Sequence, residues 1–194
     1  MTCAPGVSRG VCRLSWGWRR AAAALVLAVA MPASAGSPPS SATLAQRMAA
    51  VTEVVTGILG YARWPDAPAS MQLCVVGPTE YADALLQAGN PASQWNGEVL
   101  RVAIDDPELA SNCQALYVGV VDDKERHRLF SRLQGFNVLS ISERNDSCAI
   151  GSMFCLNIGD ESVTFDVNLD AVARSGVKVH PHVLRLGKTR ATSP

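Results

Sequence analysis

The sequence predicts a single α/β domain over residues 44–190, with a mixed, mostly parallel sheet, flanking helices, a C-terminal antiparallel hairpin and two disulfides. Three observations lead there. Short apolar runs alternate with helical segments through the middle of the chain, the pattern of parallel strands joined by crossover helices. The last two runs are separated only by Gly159-Asp160-Glu161, a connection short enough to make an antiparallel hairpin. Four cysteines, Cys74, Cys113, Cys148 and Cys155, lie on or beside the runs, an even count that fits an exported, disulfide-bonded domain.

The first 35 residues read as a secretory signal. Arg9, Arg13, Arg19 and Arg20, with no acidic residue among them, precede the apolar run Ala21 to Met31. Pro32-Ala33-Ser34-Ala35-Gly36 then supplies a small-x-small site with cleavage expected after Ala35. The run is too short for a membrane-spanning helix, which needs about 20 apolar residues. Cys3 and Cys12 leave with the leader, and neither sits at its junction. Residues 36–43, with Gly36 to Ser41 polar and Pro-rich, read as a disordered tether.

The remaining 159 residues carry 17 acidic and 13 basic side chains, a net charge of about −4. That size suits one domain with a real core. The mildly acidic balance argues against a nucleic-acid partner, which calls for a basic stripe. No later run is long and apolar enough to enter a membrane. A soluble exported protein is expected.

Each element has its own signal. Leu44, Met48, Val51, Val55, Ile58 and Leu59 recur in steps of about three and four, marking an amphipathic helix. It should end near Trp64-Pro65, because proline disfavours helix in the preceding residue. Gly57 and Gly60 would let another backbone come close. Met71 to Val76 reads as a buried strand closed by Gly77-Pro78, and Thr79 as the cap of a helix running to Gln87. Val99 to Ile104 is a second strand. Ala115 to Val120 is a third, continuously apolar and so buried on both faces. Asp122 opens a charged helix, 123–133, stopped by Gly135. Val138 to Ile141 is the fourth strand; 153–158 and 162–167 form the hairpin, and a short helix from Leu169 to Arg174 ends at Gly176.

The four cysteines allow three pairings. Cys148 and Cys155 flank the loop into the hairpin, while Cys74 lies in the first strand and Cys113 just before the third. These positions favour Cys148–Cys155 and Cys74–Cys113. Loop-closure entropy gives roughly 2.5 kcal/mol for the short loop and roughly 4 for the long one. The bonds either staple the fold or, for one of them, report redox state.

Catalytic signatures are missing. The sequence has no Cys-x-x-Cys, no Gly-x-Ser-x-Gly and no phosphate loop. His180-Pro181-His182 has no ligand-bearing neighbour in sequence, so neither a metal nor a cofactor is expected, and the chain reads as a binding protein rather than an enzyme. Its best candidate surface is basic: Lys178, His180, His182 and Arg185, joined by Arg63 after the first helix. Such a cluster can receive an acidic partner or remain a solvated edge. Arg126, His127, Arg128 and Arg132 read as a solvated helix face. Tyr61 and Trp64 suit either an interface or the core.

Several segments together resemble the YfiR family of exported proteins. They are Gly60-Tyr61-Ala62-Arg63-Trp64-Pro65, Leu73-Cys74-Val75-Val76-Gly77, Cys113 to Gly119, Gly135 to Glu143, and Phe165 to Gly176, the last being the most specific. The likeness spans roughly 44–186 and includes the four cysteines. It implies a periplasmic repressor, usually a homodimer, that holds off YfiN, an inner-membrane diguanylate cyclase, and so lowers cyclic di-GMP and biofilm formation. It also implies sequestration by YfiB, an outer-membrane lipoprotein. On this likeness Arg63, Lys178, His180 and Arg185 are expected to face the partner, with Asp166 as an acidic neighbour. The alternative is a periplasmic small-molecule-binding or redox-sensing protein.

Overall fold

The computed structural model describes residues 41–68, 70–87, 95, 97–144, 148–160 and 162–188. The expected signal sequence and most of the expected tether lie outside these residues.

Helix α1 spans Ser41–Gly60, and strand β1 is Ala62–Arg63. Then come β2 (Gln72–Val76), α2 (Asp83–Gln87), β3 (Glu98–Arg101), α3 (Leu109–Asn112) and β4 (Ala115–Val118). The second half holds α4 (Asp123–Arg132), β5 (Leu139–Ser142), β6 (Phe154–Ile158), β7 (Val163–Val167), α5 (Leu169–Ser175) and β8 (Lys178–Val179). A 3-10 helix, Pro181–Lys188, closes the described chain.

Six strands form one sheet in the order β3-β2-β4-β5-β6-β7. Every neighbouring pair is parallel except β6–β7, where Phe154 faces Val167 and Ile158 faces Val163 in antiparallel register. The predicted fold class is therefore observed. Alternating side chains of β2 divide between two cores. Leu73 and Val75 join α1 residues Val51, Val55, Ile58 and Leu59 on one face. Cys74 and Val76 join Leu109, Leu129 and Leu133, from α3, α4 and the turn after α4, on the other. Central β4 and β5 are buried at every position, as a sheet covered on both sides requires.

The helix signals behave as their chemistry dictates. The Asp122 carboxylate accepts the Glu125 N–H at 2.7 Å and starts α4. Asn168 does the same for α5 through Ala171 N–H at 2.9 Å, and Gly176 at φ 72° ends it.

Several details differ from the sequence reading, among them α2, which starts at Asp83, and β3, which is Glu98–Arg101. Helix α1 stops at Gly60, because Ala62 and Arg63 turn extended to pair with Val179 and Lys178. Its Gly57 admits the Leu186 side chain rather than a backbone; a Cβ there would lie 2.8 Å from Leu186 Cδ1. Gly60 admits nothing within 4 Å. Leu44, though in phase with the core positions, is exposed at 43%.

Both predicted disulfides are present. Cys74–Cys113 spans 5.8 Å between Cα atoms, and Cys148–Cys155 spans 5.6 Å. The first is buried at both ends. The second has Cys155 buried and Cys148 half-buried, held at φ 47°.

Candidate functional site: a basic edge and a closed crevice

The two-stranded β1–β8 sheet gathers most of the predicted basic residues. Arg63 and Lys178 are register partners, and both are exposed. The Arg63 guanidinium donates to the carbonyls of Gly60 (2.8 Å) and Ala62 (2.7 Å), which fixes its base at the end of α1. His180 follows directly: its N–H donates to Tyr61 O at 3.0 Å and its ring stacks on Tyr61 at 6.2 Å. His182 meets His180 edge-on at 4.7 Å. Arg185 is exposed on the 3-10 helix. Asp166 lies on β7, outside the β1–β8 sheet: its carboxylate accepts from Asn157 Nδ2 at 3.0 Å, and its carbonyl lies 3.9 Å from Cys148 Sγ.

Both aromatic candidates pack against the core; the Trp64 indole N–H donates to Gln114 O at 3.0 Å, and the Tyr61 ring also stacks on His180 at the basic edge. The helix face at α4 also divides. His127 and Arg128 are solvated as expected, but Arg126 is buried and donates to Ser142 Oγ, Val121 O and Arg144 O. Arg132 binds the carbonyls of Ile104 and Asp106, tying α4 to the loop after β3.

Apolar character at this edge was not anticipated. Leu169 (75% exposed) and Leu184 (60%) are the most exposed large apolar side chains among the described residues. Leu184 shares the 3-10 helix with Arg185, and that helix packs against β7; Leu169 is the first residue of α5, after the Asn168 cap. An exposed leucine next to an exposed cation, as Leu184 is to Arg185, has the composition of a protein interface rather than of an anion pocket.

The other place to look is the carboxyl end of the sheet, where open α/β sheets bind ligands at the point of strand-order reversal. Reversal here falls between β2 and β4. The two following loops touch: Val120 N–H donates to Pro78 O at 2.6 Å, and a Cβ on Gly119 would lie 1.9 Å from that same oxygen. Beside them Glu143, just after β5, is 1% exposed. Its carboxylate accepts from Glu80 N–H at 2.5 Å, Tyr81 N–H at 3.4 Å and Tyr117 Oη at 2.8 Å. Burial pushes the Glu143 carboxyl above its ordinary range, against those three hydrogen bonds, which favour the charged form. Burial likewise pushes the Tyr117 phenol far up, with the neighbouring carboxylate adding to it, so Tyr117 stays the donor. Thr79, expected to cap α2, instead accepts from Arg101 at 3.0 Å. Among the described residues no cluster of His, Cys, Asp and Glu has a metal-binding arrangement.

A family model described as YfiR/HmsC-like matches residues 49–188, well over half of the sequence. The chain belongs to the YfiR/HmsC-like family. Membership points to regulation of cyclic di-GMP signalling from outside the cytoplasm, and to a partner within that system. Two disulfides accord with an extracytoplasmic setting. No helix among the described residues is long and apolar enough to cross a membrane.

Proposed function

We propose that this chain is a periplasmic negative regulator that binds the periplasmic part of a YfiN-like inner-membrane diguanylate cyclase and holds it off. The mature protein, released after Ala35, would lower cyclic di-GMP and biofilm formation. A YfiB-like outer-membrane lipoprotein would sequester it and free the cyclase. The observation that carries this reading is the exposed basic group where β1 pairs with β8, with Arg63 beside Lys178 and His180 following, together with exposed Leu184 and Arg185 on the 3-10 helix. A leucine buried in the contact would supply affinity and the rim cations would steer an acidic partner. We assign Asp166, exposed on the neighbouring β7, to the same surface. The repressor acts as a homodimer in this reading.

Epistasis tests it. Deleting the gene should raise cyclic di-GMP only in cells that retain the cyclase. A double deletion that still shows the raised level would refute the assignment.

One observation favours a redox input as a second layer. Cys148 alone among the four disulfide cysteines is not fully buried, and its left-handed backbone is one that residues other than glycine rarely adopt. A reductant would reach Cys148–Cys155 first. Mild reduction that weakens repression, while Cys74–Cys113 stays intact by mass spectrometry, supports this layer. Unchanged repression after that bond opens removes it.

A further inference from the structure

We propose that Glu143 is a latch: the chain's own carboxylate fills the anion position at the carboxyl end of the sheet and ties the 77–82 turn to β5. The three donors that converge on it come from distant parts of the sequence, 26, 62 and 63 residues away. Two are backbone N–H groups of one turn and the third is a fully buried phenol. Such a set fits a ligand's carboxylate as well as it fits a side chain's, because each donor points at an oxygen and none recognises the rest of the molecule.

Charged neighbours leave the latch undisturbed. Glu80 turns its own carboxylate to Arg144 at 2.8 Å, so Arg144 neutralises the nearest competing acid. Tyr81, whose N–H faces Glu143, has its phenol oxygen 3.5 Å from the Arg47 guanidinium. Glu143 also forms part of the wall of a cleft of about 520 Å³, together with Tyr81, Arg144, Asn157 and Thr164. Removing the Glu143 side chain therefore joins the vacated donors to a cleft that a small carboxylate can enter. In the parent chain Glu143 occupies the donors; in Glu143→Ala the same donors are open to a small carboxylate.

Chemical rescue decides the matter. Glu143→Ala should lower the melting temperature, and sodium formate should restore at least half of the loss in a saturable way. Sodium chloride at equal ionic strength and neutral formamide should not. The parent chain and Glu143→Gln, in which a side chain still fills the space, should respond to formate no more than to chloride. A Glu143→Ala protein as stable as the parent would overturn the proposal, as would rescue equal in all three proteins or absent from Glu143→Ala. If Glu143→Ala does not fold in chloride, refolding is the readout. Native circular dichroism recovered in formate alone supports the latch, and no recovery in either salt contradicts it.

Discussion

Tyr117→Phe is the most discriminating single change in this fold. It removes one hydroxyl and no other atom, from a side chain that is fully buried in β4. That hydroxyl donates to Glu143 Oε2 at 2.8 Å, and among the described residues the other donor to the same oxygen is Tyr81 N–H at 3.4 Å. A hydrogen bond to a charged group contributes about 1.5–3 kcal/mol, and its loss here leaves a buried carboxylate short of a partner. We expect about 2 kcal/mol of destabilisation at neutral pH in a urea melt, with the m-value unchanged. For a domain of this size that is roughly a 4–8 °C fall in melting temperature.

The effect should also depend on pH. Because the folded carboxyl of Glu143 titrates above its ordinary range, the stability it confers is fully present below the unfolded value. That stability is lost as pH rises through the folded value. Removing the Tyr117 donor lifts the folded value further, so the loss continues to higher pH in the variant. The deficit of Tyr117→Phe should be small in acid, where Glu143 is protonated in both states, and should grow toward neutrality. A deficit under about 0.5 kcal/mol at pH 7, or one independent of pH, would refute the reasoning.

Further outcomes follow from other parts of the molecule. Replacing Cys74 and Cys113 with alanine opens a closure of 39 residues and should destabilise by about 4 kcal/mol; the Cys148/Cys155 pair closes only 7 and should cost about 2.5. Equal or reversed losses in denaturant melts would contradict the loop-entropy account. Asp122→Ala removes the 2.7 Å cap of α4 and should cost about 1 kcal/mol, measured the same way. Reversing Lys178 and Arg185 to glutamate should leave the melting temperature nearly unchanged, since both are exposed. It should slow association with an acidic partner and flatten its salt dependence, as seen in stopped-flow rates.

How far the sequence foretold this depends on the range of each interaction. Asp122 and Asn168 cap helices through residues three positions ahead, so their roles were readable locally. The unbroken apolar run of β4 announced burial on both faces, and the cysteines' positions relative to strands announced their pairing. Glu143 was invisible in that sense, because its partners lie 26 to 63 residues away. A lone carboxylate after a strand looks like any solvated acid. Arg126 misled for the same reason: its neighbours in sequence are solvated cations, and only the approach of β5 buries it. Strands β1 and β8, two residues each, are too short to show any period. They exist because each supplies the other's hydrogen bonds, and that pairing is what brings Arg63 beside Lys178.

The partner surface is tested most directly by calorimetric titration of the mature chain against the isolated periplasmic domain of the diguanylate cyclase. The parent protein should bind saturably. Leu184→Asp, altering a solvent-facing position, should keep its melting temperature and lose at least about tenfold in affinity, as expected for an apolar anchor at the centre of an interface. Full affinity in a folded variant, or no binding by the parent, would contradict the assignment of this edge.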